Sequence, residues 1–431
     1  MLDLLVIGGG AAGFYGAIHV ASRLPKAKVL ILDQNREFLS KVKISGGGRC
    51  NLTHRPMAPE LLAAHYPRGE RELLGPFYQH ASKDTMSFFE QLGVALKIES
   101  DGRVFPQNDN SQTIIDALIG RAKALGIRLQ SQTKVIGFGP DSGGSGSWSI
   151  TTGDQEYHAK SVLVCPGSSA GIWKQLEALG HSIVPPVPSL FTFRISDARL
   201  SGLQGISTRA HVWVAALEPD SEVLPLAQGK KQKKPVLSEV GPLLITHWGL
   251  SGPAVLRLSA WGARELAQAD YRFILGINWL PDWSKEQFKS RLLEIRKRES
   301  AKFVVNNPDL NLPIRLWREL VAASGITPQV RWADLTKAQL DTLQAQLSNA
   351  TFHVIGKSTF KEEFVTAGGV ALKEVNFKTF ESKKLPGLFF AGEVLNIDAI
   401  TGGFNFQNAW TGAYLASNGI VERNRNQDSP R

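Results

Sequence analysis

Leu4-Leu5-Val6-Ile7-Gly8-Gly9-Gly10-Ala11-Ala12-Gly13, continued by Phe14 to Leu24, Lys28 to Leu32 and Asp33, is the stretch whose reading decides the fold. Four apolar residues of strand character run straight into a glycine turn. A helical segment follows, then a second apolar run closed by an acid. This order is that of the dinucleotide-binding βαβ unit. Gly8 permits the tight turn, Gly10 leaves the backbone bare for a pyrophosphate, and Gly13 lets the helix pack close to the strand. The N-terminus of the helix offers free N–H groups and a dipole that favour an anion. Asp33 lies 20 residues beyond Gly13, where a carboxylate accepts hydrogen bonds from ribose hydroxyls.

The 431 residues suffice for two or three domains, and 43% apolar with 20% charged residues suits a soluble globular protein. No uninterrupted apolar run approaches the roughly 20 residues of a membrane span. Met1 to Ile7 is apolar, but it lacks a basic leader and enters the glycine turn directly, so it reads as a strand rather than a signal peptide. The two cysteines, Cys50 and Cys165, are far apart and form no CxxC, which indicates neither a redox dithiol nor a metal site. A cytoplasmic protein is the simple expectation. The net charge of +10 suits an anionic partner, nucleic acid first, or simply a basic enzyme.

Beyond Asp33, the run Lys41-Val42-Lys43-Ile44-Ser45-Gly46-Gly47-Gly48-Arg49-Cys50-Asn51-Leu52-Thr53 reads as a donor-rich loop lying along the nucleotide. Asp84–Leu92 reads as a helix, and short strands flank the Asp101-Gly102 turn. Ser111 is expected to cap a further helix. Ile127–Gly137, Trp148–Thr152 and Glu156–Ala159 suggest an antiparallel meander, with Asp141–Gly146 as a loop tip. A separate buried strand, Ser161–Val164, then ends at Cys165-Pro166-Gly167. Val184-Pro185-Pro186-Val187-Pro188 marks a domain crossing. A β-rich stretch follows, holding the basic run Lys230–Lys234 and Thr246-His247-Trp248-Gly249, and then a largely helical one, Trp283–Leu347. Val187 to Ala350 carries 21 basic and 15 acidic residues, +6 of the total charge. From Thr351 the pattern returns to strands, including Leu388-Phe389-Phe390-Ala391-Gly392-Glu393. A last helix opens at Thr401-Gly402-Gly403-Phe404 and is expected to end near Ser417, with a disordered tail over 422–431.

The N-terminal βαβ unit and Phe389–Glu393 resemble the two ends of the FAD fold of the glutathione-reductase class. Ile44–Asn51, Asp101–Pro106, Thr246–Pro253 and Ile400–Asn405 resemble a narrower group, the BaiN/RdsA-like flavoproteins, also called the NAD(P)/FAD-dependent or aminoacetone oxidase family. The resemblance covers nearly the whole chain. It implies an α/β fold in which a Rossmann-like FAD-binding domain of the two-dinucleotide-fold type is interrupted by a β-barrel-like domain and a helical domain. The expected boundaries are 1–186 with 351–431 for the FAD domain, 187–280 for the β-rich insert and 281–350 for the helical one. FAD would be held by Gly8, Gly10, Ala11, Ala12, Gly13 and Asp33, with Gly167 closing on the adenosine half. Gly392 and Glu393 would sit near the ribityl or pyrophosphate, at a place where related flavoproteins usually carry Asp. Ser45 to Asn51, with Gly47, Gly48, Arg49 and Asn51 among them, would line the isoalloxazine or its substrate face. Gly402, Gly403 and Phe404 would turn a helix N-terminus towards the flavin's N1/O2 edge.

FAD supplies hydride transfer, and the protein supplies position and proton traffic. Reduction of an activated C=C bond also needs a proton donor, for which Cys50, then His247, then Tyr66 are the candidates. Cys50 follows an arginine and a glycine run, surroundings expected to lower its pKa. The single clear glycine fingerprint is taken by FAD, so NAD(P)H would act as a transient reductant. The family is linked to C=C reduction in small molecules and in ribosomal RNA uridine. The basic insert favours the RNA substrate, against a small-molecule ene-reductase or amine oxidase, or a flavin-binding protein without turnover.

Overall fold

Leu4, Leu5 and Val6 are fully buried because their strand lies mid-sheet, with parallel neighbours on both sides. This is a computed structural model, and it describes residues 1–141, 146–217, 237–306, 310–358 and 365–428. The run Lys230–Lys234 lies outside the described residues, as do 142–145 of the Asp141–Gly146 loop. The chain divides into two compact units, Met1–Val187 with Val365–Arg431, and Pro188–Phe364.

In the first unit, β1 (Leu2–Ile7) pairs with β2 (Val29–Leu32), and the helix Ala11–Arg23 connects them. A small antiparallel sheet holds β3 (Thr53–His54), β4 (Leu96–Ile98) and β5 (Arg103–Pro106). The helix Ser111–Ala124 is capped by Asn110, whose side chain accepts from Gln112 N at 2.9 Å. The expected cap, Ser111, instead donates its hydroxyl to Lys43 O at 2.8 Å, tying this helix to the segment that enters the glycine loop. β6 (Arg128–Gln130) joins β2 in parallel and is therefore not part of a meander. The meander is β7 (Val135–Pro140), β8 (Trp148–Thr152) and β9 (Glu156–Val164). β9 unites what read as two strands. Its first half pairs antiparallel with β8, and its second half runs parallel to β1, so its burial deepens along its length.

β10 (Ile183–Ser189) carries the proline run. Proline donates no backbone bond, and β10 sits accordingly in a two-stranded ribbon. The second unit closes six strands into a barrel: β11 (Phe193–Ile195), β12 (Ser207–Leu217), β13 (Ser238–Ile245), β14 (Gly249–Ser251), β15 (Arg272–Asn278) and β16 (Ala350–Lys357). The helices Lys285–Arg298, Ile314–Ala323 and Lys337–Ser348 lie between β15 and β16 in sequence. One hydrophobic core runs from barrel residues such as Phe193, Val212 and Phe273 to Leu292, Trp317, Trp332 and Leu343 on the helical side. The stretches 187–280 and 281–350 therefore form one body. The residues just after 350 belong to it too, since β16 pairs with both β11 and β15.

β17 (Val365–Val370), the partner of β10, returns the chain to the first unit. β18 (Val375–Asn376), β19 (Glu381–Ser382) and β20 (Leu388–Phe390) complete the large sheet, with β20 parallel to β9. The C-terminal helix runs Phe404–Asp428, well past Ser417, and so replaces most of the expected disordered tail. Its polar end is held by tertiary bonds: Arg423 donates to Gly146 O at 2.9 Å and Lys160 O at 3.4 Å. Among the described residues, no helix is long and apolar enough to cross a membrane.

Candidate functional site

Gly8, at φ +113°, follows β1, and a Cβ there would lie 2.5 Å from Cys165 O. A Cβ on Gly13 would lie 2.0 Å from Gly8 O, so the helix can touch the strand only if this residue is glycine. Gly10 differs: nothing stands within 4 Å of the place its Cβ would take. The first helical bond is Phe14 N to Gly10 O at 3.1 Å. The amides of Ala11, Ala12 and Gly13 precede it and have no intrahelical acceptor. Bare backbone beside three donors at the positive end of a helix dipole forms a cradle for a diphosphate.

Asp33 is aimed by two amides, Gly9 N on Oδ2 and Asn35 N on Oδ1, each at 2.7 Å. It borders a groove with Gly8, Thr133, Lys134, Val135, Pro166, Ser169 and Ile172. Gly167 follows in the turn after β9, at φ +70°. The 133–135 wall carried no motif in the sequence. It reaches the groove because Thr133 N bonds Asp33 O at 2.8 Å. Open cradle, aimed acid and groove together fit the adenosine diphosphate half of FAD.

The loop after Asp33 begins with a helical turn and then breaks. Ser45 is extended, while Gly46, Gly47 and Gly48 take φ +57°, +70° and +84°, a run that suits glycine. Cys50 follows at φ +61° and bonds its N–H to Ser45 O at 2.9 Å. Asn51, in the amide orientation that satisfies both its ends, donates to Thr53 O at 3.1 Å and accepts from Gly403 N at 2.9 Å. A Cβ on Gly403 would lie 2.5 Å from Thr53 O. The loop 45–51 and the Gly402-Gly403-Phe404 turn are thus built against each other, and Trp410 Nε1 donating to Leu52 O at 2.9 Å locks the helix behind them.

Two histidines missed in the sequence belong here. His54 Nδ1–H donates to Gly402 O at 3.1 Å, and its ring fills the space a Cβ on Gly102 would need. The rings of His54 and His65 both stack on Phe404, at 4.8 and 4.1 Å. Burial lowers the pKa of His54, which keeps it neutral at pH 7. The requirement for glycine at 102, visible as part of the Asp101–Pro106 motif, was the available signal.

The expected activation of Cys50 is overturned. The thiol is fully buried, and burial pushes its pKa up to about 12. Arg49 does not offset this, because its guanidinium turns to Glu99 at 2.7 Å and Asp109 at 3.4 Å and lies over the Phe105 ring at 4.1 Å. Tyr66 is also buried, with its hydroxyl donating to Phe404 O at 2.5 Å and its pKa raised by burial. His247 stands in the second unit, exposed in the turn between β13 and β14 that Thr246 N closes onto Gly249 O at 2.8 Å. Cys165 is a buried thiol beside Gly8 O, its pKa raised by burial. Glu393 Oε2 pairs with Lys41 Nζ at 2.5 Å.

The model of one family, described as the HI0933-like protein Rossmann domain, matches residues 2–419. The chain belongs to that family. The chain is 28% identical over 427 residues to the ribosomal RNA dihydrouridine synthase of Escherichia coli (strain K12), covering 97% of this chain and 98% of that one. It is 26% identical over 430 residues to the 3-dehydro-bile acid delta(4,6)-reductase of Clostridium scindens, again over 97% and 98% of the two chains. Among solved structures, a quinol-fumarate reductase with menaquinol shares the fold at a TM-score of 0.50 and 13% identity, covering 100% of this chain and 72% of that one. The chain is an FAD-dependent oxidoreductase with a Rossmann-type FAD domain and a barrel-containing insert.

Proposed function

We propose that the protein reduces an activated C=C bond by hydride transfer from FAD, with a uridine of ribosomal RNA, converted to dihydrouridine, as the favoured substrate. The observation that carries this reading is the match along 97% of the chain to two reductases with unlike substrates. Their names describe one shared step, addition of two hydrogens across a C=C bond. FAD, when bound, supplies the hydride. Gly8–Gly13 and Asp33 would hold its adenosine diphosphate half, and Gly47–Asn51 with Gly402–Phe404 would border its reactive end. At neutral pH the Cys50 thiol keeps its proton, and His54 keeps its Nδ1 proton on Gly402 O. NAD(P)H is the proposed reductant, binding transiently, and the cytoplasm is the proposed location.

The RNA substrate is favoured by charge. The stretch 187–350 carries a net +6, and on the helix Lys285–Arg298 the side chains of Arg291, Lys297 and Arg298 are exposed. Such cations suit a phosphate backbone. Mass spectrometry of ribosomal RNA from cells with and without the gene tests the reading. A uridine heavier by about 2 daltons only where the gene is present is expected. An unchanged profile would shift the reading to a small-molecule C=C substrate, which the likeness to the bile-acid reductase supports.

A further inference from the structure

We propose that Lys41 is the countercharge for the diphosphate of FAD and that Glu393 holds it in place beside the glycine cradle. The inference rests on the FAD reading above. Leu39 N donates to Gly9 O at 2.9 Å, so the segment entering the loop is pinned onto the glycine turn itself. Lys41 follows two residues later, and its Nζ meets Glu393 Oε2 at 2.5 Å. Both atoms flank Gly167: a Cβ there would lie 3.6 Å from Glu393 Oε2 and 3.8 Å from Lys41 Nζ. Gly392, next to Glu393, faces the first turn of the helix Ala11–Arg23, where its Cβ position is 3.7 Å from Ala12 Cβ. The ion pair therefore stands where the turns after β1, β9 and β20 meet, at the carboxyl ends of parallel strands.

Charge decides what the pair does there. The cradle is arranged for a diphosphate with two negative charges, and a lone carboxylate at the same helix N-terminus would repel it. The Glu393 side chain is only 15% exposed, so water screens it poorly, whereas Lys41 is 57% exposed and free to lean towards a new anion. Lys41 cancels Glu393 and can bond a phosphate oxygen with another of its three N–H groups. Glu393, in turn, keeps a flexible lysine beside Gly167 instead of in solvent. The two residues come from opposite ends of the chain, 352 positions apart, so the pair also links the two segments of the FAD unit.

The test is titration of FAD into flavin-stripped protein, read by flavin fluorescence at low and high salt, with apo melting as a control for folding. Lys41→Ala should weaken FAD roughly ten- to a hundred-fold and flatten the salt dependence, with the apo protein still melting cooperatively and within about 4 °C of wild type. Lys41→Arg should stay within a few-fold of wild type. Adding Glu393→Gln to Lys41→Ala should recover a large part of the loss by removing the uncompensated carboxylate. A Lys41→Ala protein that binds FAD like wild type overturns the inference alone, as does a double variant no tighter than the single. A wild-type chain that takes up no FAD overturns the FAD reading and the inference with it.

Discussion

Gly13→Ala should lower the melting temperature and weaken FAD binding at least ten-fold, although alanine is the better helix former. In an open helix the exchange would stabilise by about 1 kcal/mol. Here the new Cβ would fall 2.0 Å from Gly8 O and 3.2 Å from Cys165 Sγ. The nearest atom is backbone, in the turn that directly follows the central strand β1, and cannot swing aside like a side chain. The helix must lift away from β1, and overpacking of this kind costs on the order of 3 kcal/mol. Lifting the helix also moves the amides of Ala11 and Ala12 away from the diphosphate. The sign is therefore the test. Thermal unfolding of the apo variant at or above the wild-type temperature would mean that helix and strand are not in contact at this point.

Arg68→Met should destabilise the first unit by roughly 3–5 kcal/mol. Arg68 forms a two-pronged pair with Asp398, whose side chain is fully buried. Removing the guanidinium takes the two-pronged countercharge from a fully buried carboxylate, which is far costlier than losing an exposed pair. The damage falls on the site, because Asp398 begins the segment that leads to Gly402 and Gly403. Asn405 braces that segment by bonding Ala399 N at 2.9 Å and Ala399 O at 3.0 Å. In the Arg68→Met background, Asp398→Asn should restore part of the lost stability, since an amide needs no countercharge. Denaturant unfolding of the two variants checks this. A single variant as stable as wild type, or a double variant less stable than the single, would show that the buried charge is not what Arg68 answers.

Features that depend on one residue's own geometry were legible in the sequence. Gly8 and Gly13 announce a turn and a close approach, and both are found where the βαβ reading needs them. Asp33 was legible because its place is set by a short strand. Features that depend on a distant partner were not. Arg49 looked like a thiol-activating cation until Glu99 and Asp109, 50 and 60 positions away, claimed it. Cys50 looked activated because its neighbours in sequence are polar, but its neighbours in space exclude water. The barrel read as a β-rich segment followed by a separate helical domain, because its closing strand, Ala350–Lys357, comes only after the helices. The polar residues from Glu422 onward looked like a tail, but tertiary bonds such as those of Arg423 to the carbonyls of Gly146 and Lys160 hold them as a helix end. His54 and Phe404 meet across the length of the chain, and no local pattern joins them.

Gly10 offers the most direct test of the claim that FAD lies in the glycine cradle. The protein has room for a side chain there, with nothing within 4 Å of the Cβ position, whereas a diphosphate seated on the helix N-terminus has none to give up. Gly10→Val should therefore fold and melt like wild type in the apo form. Titrated with FAD, wild type should bind one flavin per chain, and Gly10→Val should lose more than about a hundred-fold in affinity, some 3 kcal/mol. A Gly10→Val chain that binds FAD as tightly as wild type would contradict the account.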